Sequence, residues 1–265
     1  MYSASGTERR RIIVQPRDRR LLEELALLRI VDREQAKVVA GFASTTRVNA
    51  RLLALARAGL LRRFFLGTAA GGTKAIYAIS REGATLVGVR YRGPRRRNHE
   101  LLVGDSFVQH QLSVNEVYCR LKAEIGAHSD SSLVRWLAFH EPLMLNMRLI
   151  PDAYFELQTP SGIATSFVEV DLGHEHLNIW RKKVQNYLHL AISGDYERMF
   201  GQNRFRVLVI TNSNRRLLGI REVVSATTEK IFWLTDFASL KQHGVFATIW
   251  LRPKGDHRNS FFSSS

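Results

Sequence analysis

The sequence from residue 41 to residue 59 is GFASTTRVNARLLALARAG, and it has the pattern of a short amphipathic helix. Ser44 or Thr45 can begin this helix, because a short side-chain oxygen accepts an unpaired amide of the first turn. Gly59 is typical of the residue that ends such a helix. Apolar residues recur between them with the helical period, which predicts a buried face made of Val48, Leu52, Leu55 and Ala56.

The residues after this helix have the pattern of a β-hairpin. Two strand-like runs, 60–66 and 75–80, flank a glycine-rich segment. This segment does not fit a nucleotide-binding loop, because Lys74 follows Thr73 instead of preceding it and no helix comes next. Two more helices are predicted upstream, the second separated from the third by a tight turn. Three helices followed by a basic hairpin are the outline of a winged helix-turn-helix domain.

The positive charge is concentrated in the same part of the chain. The net charge is +15, and residues 1–97 contain 21 Lys or Arg against 7 Asp or Glu, whereas residues 98–265 contain 18 against 17. Such asymmetry indicates an anionic partner for the first part, and nucleic acid is the leading candidate. A membrane surface is disfavoured, because the basic residues do not lie along one lipid-facing helix. RNA is disfavoured too, because aromatic residues are not interleaved with the basic ones.

Double-stranded DNA is therefore the expected partner, with the third helix in the major groove. Arg47, Asn49 and Arg51 are the predicted base-edge contacts, because arginine suits guanine and asparagine suits adenine. The remaining predicted contacts, most of which would hold phosphates and set the register, are Thr45, Thr46, Arg62, Lys74, Arg95, Arg96 and Arg97.

Composition and the positions of Pro and Gly residues predict the domain organisation. The single cysteine, Cys119, gives neither a disulfide framework nor a zinc cluster. With neither an 18-residue apolar run nor a secretory signal, we expect a soluble, cytoplasmic protein associated with the nucleoid or a plasmid. The predicted parts are a basic flexible arm (1–16), a winged helix-turn-helix domain (17–92), a linker (93–98), an α/β domain (99–255) and a disordered tail (256–265).

The second domain is predicted to be a mixed sheet flanked by helices, because helical and strand patterns alternate along it. The fold class is therefore α/β, of the α+β type. The predicted helices cover residues 101–122, 177–192 and 215–225, and the predicted strands cover residues 133–139, 149–157, 164–171, 205–211, 231–234 and 245–251.

Acidic residues fall at the ends of neighbouring strands in this domain. Glu169 and Asp171 are two residues apart and should share one face of a strand, which Asp152 can also reach. Two carboxylates can hold Mg²⁺ or Mn²⁺ against a phosphate, and a lysine nearby could stabilise the developing charge. Lys183 is a better candidate for this lysine than Lys182, because Lys182 points away from the apolar stripe of the helix that follows the strand. The alternative is that these acids are exposed strand ends or ion-pair partners of nearby basic residues.

Three segments of this domain carry a resemblance to a known fold. LIPDAYFEL (149–157), FVEVDLGHE (167–175) and KKVQNYL (182–188) resemble the PD-(D/E)xK nuclease-like fold. With a winged helix in front, the chain is similar to the replication-relaxation family from about residue 17 to 251. The resemblance implies a DNA-binding protein of a bacterial plasmid or mobile element, acting in replication, relaxation or transcriptional regulation with partner proteins. Winged-helix proteins often bind two-fold sites as dimers, so a homodimer is one expectation.

The resemblance leaves the activity of the second domain open. Nucleases of this fold carry a lysine two residues after the second acid, and this chain has Asp171 there. One expectation is a degenerate, non-cleaving platform domain. The other is a metal-dependent DNA endonuclease or nickase with Asp152 and Glu169 as metal ligands, Asp171 at the site and Lys183 in the lysine's role; Mg²⁺ or Mn²⁺ is then the only cofactor expected.

Overall fold

The computed structural model describes residues 12–68, 71–92, 101–102, 106–126 and 130–263. The chain divides into two compact units, Met1–Cys119 and Arg120–Ser265, and the division falls inside a long helix. The predicted linker and most of the predicted arm lie outside the described residues. In the described part of the chain, no helix is both long enough and apolar enough to cross a membrane.

The first unit contains the three helices and the hairpin that the sequence predicts. The hairpin is part of a four-stranded sheet with the order β1-β3-β2-β4, in which β2 and β3 pair antiparallel. Its elements are α1 (Pro16–Leu28), β1 (Val31–Asp32), α2 (Arg33–Ala40), α3 (Thr45–Arg57), β2 (Leu61–Gly67), β3 (Thr73–Ile79), α4 (Arg81–Val87), β4 (Leu101–Leu102) and the first part of α5 (Ser106–Ile125).

Caps and apolar faces set these helices in place. The Asp32 carboxylate accepts from the Gln35 amide at 2.8 Å and begins α2, and Gly41 ends it with a left-handed backbone at φ +67°. Ser44 begins α3, because its hydroxyl accepts from the Arg47 amide at 3.5 Å. The buried face predicted for α3 is confirmed, since Val48, Leu52 and Leu55 are fully buried and Ala56 is partly buried.

The beginning of α5 belongs to the first unit rather than to the second. Two buried amide side chains attach it to the helical core. Gln35 Nε2 donates to the Leu112 carbonyl at 2.7 Å, and Asn115 Nδ2 donates to the Ile30 carbonyl at 2.6 Å. The compact units therefore divide after Cys119, about twenty residues beyond the domain start expected at residue 99.

The second unit is a seven-stranded mixed sheet with helices, which confirms the predicted fold class. The strand order is β11-β10-β9-β8-β7-β6-β5, and β7, β8 and β9 pair parallel while the other neighbours pair antiparallel. The elements are β5 (Ser132–Ala138), β6 (Ala153–Thr159), β7 (Gly162–Asp171), α6 (Leu177–Ile192), α7 (Asp195–Phe200), β8 (Arg206–Thr211), α8 (Asn214–Ser225), β9 (Phe232–Asp236), α9 (Phe237–His243), β10 (Trp250–Leu251) and β11 (Arg258–Asn259).

The core of this unit lies between α6, α8 and one face of the sheet. Strand β8 is almost entirely apolar, as expected for a strand with parallel neighbours on both sides. Helix α6 places Trp180, Val184, Tyr187 and Leu190 in this core, and all four are fully buried. This arrangement fixes which face of α6 meets the acidic end of β7.

Residues 256–263, the described part of the predicted disordered tail (256–265), correct that prediction. Strand β11 pairs antiparallel with β10, and Phe261 beyond it is completely buried. The Phe261 ring lies 5.5 Å from Phe246 and 6.1 Å from Phe155, centroid to centroid. Burial of one aromatic side chain of this size stabilises the segment by roughly 2–3 kcal/mol, which orders a polar stretch with little propensity of its own.

Candidate nucleic-acid interface and acidic cluster

The outward face of α3 is polar, as the sequence predicts. Thr46, Arg47 and Asn49 are exposed, and Thr45 is partly buried at the first turn. The cap by Ser44 and the burial of the apolar stripe fix which way these side chains face. Arg47 and Asn49 therefore present a guanidinium and an amide on the exposed face of a rigid helix, and these are groups that can bond base edges bidentately.

Arg51 is held inside the first unit instead of being presented with Arg47. Its Nε donates to Asp18 Oδ1 at 2.8 Å, and its Nη2 both pairs with Asp18 Oδ2 and donates to the Ile13 carbonyl at 2.6 Å. Asp18 is only 1% exposed, so it would be an unpaired buried charge without Arg51. Arg51 thus joins α3 to α1, and this contact corrects the expectation that it faces base edges.

The basic residues of the hairpin also have protein partners. The Arg62 guanidinium lies 5.0 Å from the centroid of the Phe64 ring and donates to the Tyr91 hydroxyl at 3.2 Å. Lys74 forms an ion pair with Asp32, the residue that caps α2. Both side chains remain partly or largely exposed, so their predicted phosphate contacts stay predictions. Arg95, Arg96 and Arg97 lie outside the described residues.

Two arginines of the first helix also lie close to the start of α3. Arg17 and Arg20 of α1 line an open depression together with Gly41, in the turn between α2 and α3. The Arg17 guanidinium lies 4.8 Å from the ring centroid of Phe42 in the same turn. Only the packing of α1 against α2 brings them there, so spacing along the chain could not have indicated it.

The predicted acidic cluster of the second unit forms at the end of β7. Asp152 lies just before β6, and its Oδ2 accepts from the Val170 amide at 2.7 Å. Glu169 and Asp171 both face α6, which confirms that they share one face of the strand. Lys183 of α6 reaches Glu169, with Nζ 2.8 Å from Oε2, whereas Lys182 is exposed.

Glu169 is completely buried, and both of its carboxylate oxygens accept protein donors. Lys183 bonds Oε2, and the Tyr187 hydroxyl donates to Oε1 at 2.6 Å. Burial raises the pKa of the Glu169 carboxyl to about 7, with a smaller increase from Asp152, although Lys183 and Tyr187 oppose the shift. For Lys183, burial lowers the pKa, but the surrounding carboxylates raise it by more and keep the ammonium charged.

Asp171 stands where nucleases of this fold have their lysine, and it is bound by four donors. Arg216 of α8 donates to both oxygens, at 2.8 and 2.7 Å, Trp180 Nε1 donates at 2.6 Å and the Gly173 amide at 2.7 Å. Burial raises the pKa of the Asp171 carboxyl, but these hydrogen bonds lower it by more, so the pKa lies below its usual range. Sequence analysis missed Arg216, Trp180 and Tyr187 as partners of the cluster.

The cluster as arranged does not fit a divalent cation. A Mg²⁺ or Mn²⁺ site needs accessible carboxylate oxygens, and the oxygens of Glu169 and Asp171 already accept from side chains packed over them. Within the described ranges there is no group of three or more His, Cys, Asp or Glu residues that could hold a metal. The hydrogen bonds of Lys183 and Tyr187 to Glu169 instead attach α6 to β7, and those of Arg216 to Asp171 attach α8 to β7.

Comparison of the sequence with models of known protein families finds a match. A model of the replication-relaxation family matches residues 21–204, which is more than half of the chain and includes both α3 and the acidic cluster. Comparisons with curated proteins and with solved structures found no match.

Proposed function

This chain belongs to the replication-relaxation family, which suggests a role in the replication of a plasmid or mobile element, and we propose that it is a sequence-specific double-stranded DNA-binding protein. The observation that carries the proposal is the exposed polar face of α3, which begins at a capped N-terminus and presents Arg47 and Asn49. A winged helix-turn-helix domain uses such a helix in the major groove.

Several residues of the first unit have an expected role in this complex. Arg47 and Asn49 contact base edges, with Thr46 beside them. Arg17 and Arg20 contact phosphates next to the α2–α3 turn. Arg51 is a positioning residue, because its guanidinium is committed to Asp18. Lys74 and Arg62 contribute positive charge near the DNA backbone while keeping their protein partners. None of these five residues selects a sequence.

The test begins with the full-length protein and random double-stranded fragments, from which the bound fragments are recovered and sequenced. An enriched motif supports the proposal, and a two-fold symmetric motif would also support the homodimer. Arg47→Ala should then weaken binding to the enriched site by roughly 1–3 kcal/mol and relax its specificity. Arg57→Ala is the matched control, because Arg57 is an exposed arginine at the other end of α3.

The proposal fails if no motif is enriched, or if Arg47→Ala weakens binding to random and enriched DNA equally, since Arg47 would then hold only the backbone. Partner proteins in replication, relaxation or transcription belong to the same proposal. They are tested by asking which of these processes changes on a plasmid that carries the enriched site when Arg47→Ala replaces the wild type.

We propose further that the second unit is a non-cleaving platform with the nuclease-like fold. The ion pairs that occupy Glu169 and Asp171 support this, because a metal would have to displace Lys183, Tyr187 or Arg216. Supercoiled plasmid incubated with the protein and Mg²⁺ or Mn²⁺ should therefore stay supercoiled. Nicking that disappears in both Asp152→Ala and Glu169→Ala would establish the endonuclease instead.

A further inference from the structure

The second unit contains an open depression beside the acidic cluster, at the point where β7 ends and α6 begins. Its volume is about 460 Å³, and its polar lining consists of His174, Glu175, His176, Asn178, Arg181 and Arg216. Space of this size holds a small ligand or one group of a larger one. Four of these six side chains are basic, so the lining favours an anion.

Both carboxylates at this depression have basic partners. Glu175 pairs with Lys183, with Oε2 and Nζ 3.0 Å apart, and shares this lysine with Glu169, while Asp171 pairs with Arg216. Arg181 differs from Lys183 and Arg216, because it donates to the neutral side-chain oxygen of Asn178, Oδ1. The charge of Arg181 is therefore not offset by this bond, and its side chain is exposed at the rim.

The position of the depression in the sheet favours ligand binding as well. It lies outside the carboxyl end of β7, one of three adjacent parallel strands, and α/β sheets bind their ligands at such ends. Helix α6 is 16 residues long and begins here at Leu177, and its N-cap residue, His176, makes no side-chain cap. The Ile179 amide donates to the His176 carbonyl at 2.9 Å, so the first-turn amides that can add donors are those of Leu177 and Asn178.

We propose that this depression binds a phosphate group, with Arg181 as its main contact and His174, His176 and Arg216 as further donors. The guanidinium of Arg181 matches the oxygens of a phosphate. This site shares no residue with the α3 face, and it does not depend on the proposed contacts to base edges. The phosphate comes either from a nucleic-acid backbone or from a free phosphate, and both have the same chemistry at this site.

The experiment compares two neighbouring residues of α6 in the full-length protein. Arg181→Gln removes a charge that lines the depression, and Lys182→Gln removes an equally exposed charge that does not. Inorganic phosphate is titrated by calorimetry at constant ionic strength, with chloride as the balancing salt. Wild type should bind phosphate saturably. The affinity of Arg181→Gln should be lower by a factor of about ten or more, and the affinity of Lys182→Gln should stay within about twofold of wild type.

A short duplex that lacks any sequence enriched by the protein identifies the source of the phosphate. If it competes with inorganic phosphate, the ligand is a nucleic-acid backbone, and Arg181→Gln should reduce the dependence of log K on log salt by about one. If phosphate binds and the duplex does not compete, the ligand is a free phosphate. Either result supports the site.

The proposal is overturned if wild type takes up no phosphate saturably, or if Arg181→Gln and Lys182→Gln behave alike. Thermal unfolding of both variants shows whether they fold, and a failure of Arg181→Gln to fold leaves the wild-type titration as the deciding measurement. Arg47→Ala separates the two proposals, because it should leave phosphate binding unchanged even where it abolishes sequence-specific DNA binding.

Discussion

Replacing Arg216 by glutamine should destabilise the second unit through Asp171. The carboxylate of Asp171 is 2% exposed, and Arg216 supplies two of its four hydrogen bonds. Removing one partner of a buried pair costs about 3–5 kcal/mol. Trp180 and Gly173 still donate in the variant, so we expect a loss near the lower end, about 3 kcal/mol. For a unit of this size that corresponds to a decrease in Tm of about 6–12 °C.

Differential scanning calorimetry of the full-length protein measures this loss, with Arg215→Gln as the control. Arg215 is the adjacent exposed arginine, and its replacement should change stability by about 0.5 kcal/mol or less. Adding Asp171→Asn to Arg216→Gln should restore part of the loss, because the uncompensated charge is then gone. Equal Tm values for the two arginine variants would refute the buried ion pair, and so would a double variant no more stable than Arg216→Gln.

Acidification should reduce the difference in stability between wild type and Arg216→Gln. The pKa of Asp171 is lowered in the folded protein, so its contribution is present above the pKa of the unfolded chain and is lost as the pH falls through the folded value. Wild type and Arg216→Gln should therefore become more similar in stability below about pH 4. A difference that stays constant down to pH 2.5 would argue against an ionised Asp171.

Two further stability predictions concern Glu169 and the C-terminal segment. Because the pKa of Glu169 is raised to about 7, its contribution to the free energy of unfolding is present at low pH and is lost as the pH rises from about 4.5 to about 7. Urea unfolding at pH 5, 6 and 7.5 should therefore show wild type losing stability relative to Glu169→Gln. Parallel pH dependences of the two proteins would contradict this. Phe261→Ala should cost about 3–5 kcal/mol by leaving a cavity, whereas Phe262→Ala, at a residue that is 45% exposed, should cost much less; similar unfolding midpoints would show that the segment does not pack as described.

The elements that could be predicted from sequence are those whose signal is local. Helix α3 has a cap and a periodic apolar face, and β8 is a continuous apolar run between two breaks. The short helices α7 and α9 were missed, because six or seven residues span too few turns to show a period. The tail was predicted disordered for a related reason: the burial of Phe261 depends on Phe155 and Phe246, which are distant in the chain.

Some contacts of the candidate site could likewise be predicted from the sequence, and others could not. The convergence of Glu169, Asp171 and Lys183 could be predicted, because strand alternation and the helical period put them on facing surfaces. The pairing of Asp171 with Arg216 could not, because 45 residues separate them and Arg215 next to it has the same chemistry. Only the orientation of α8 decides which of the two arginines is buried. The pairing of Arg51 with Asp18 depends on tertiary packing in the same manner.

Charge counted along the sequence and charge presented at the surface therefore differ in both units. The first part of the chain has a large positive excess, yet Arg51 and Lys74 are committed to Asp18 and Asp32. The positive excess itself remains, since ion pairs do not change net charge, but the close DNA contacts that we propose fall to exposed residues such as Arg47.

In the second unit the opposite occurs. Its sequence is nearly neutral, but Glu169 and Asp171 are buried against Lys183 and Arg216, whereas Arg181 and Lys182 are exposed on α6. A unit with almost no net charge can thus present a locally cationic depression. Where the proposed phosphate ligand is a nucleic-acid backbone, the salt dependence of DNA binding will include a contribution from the unit whose composition suggests none.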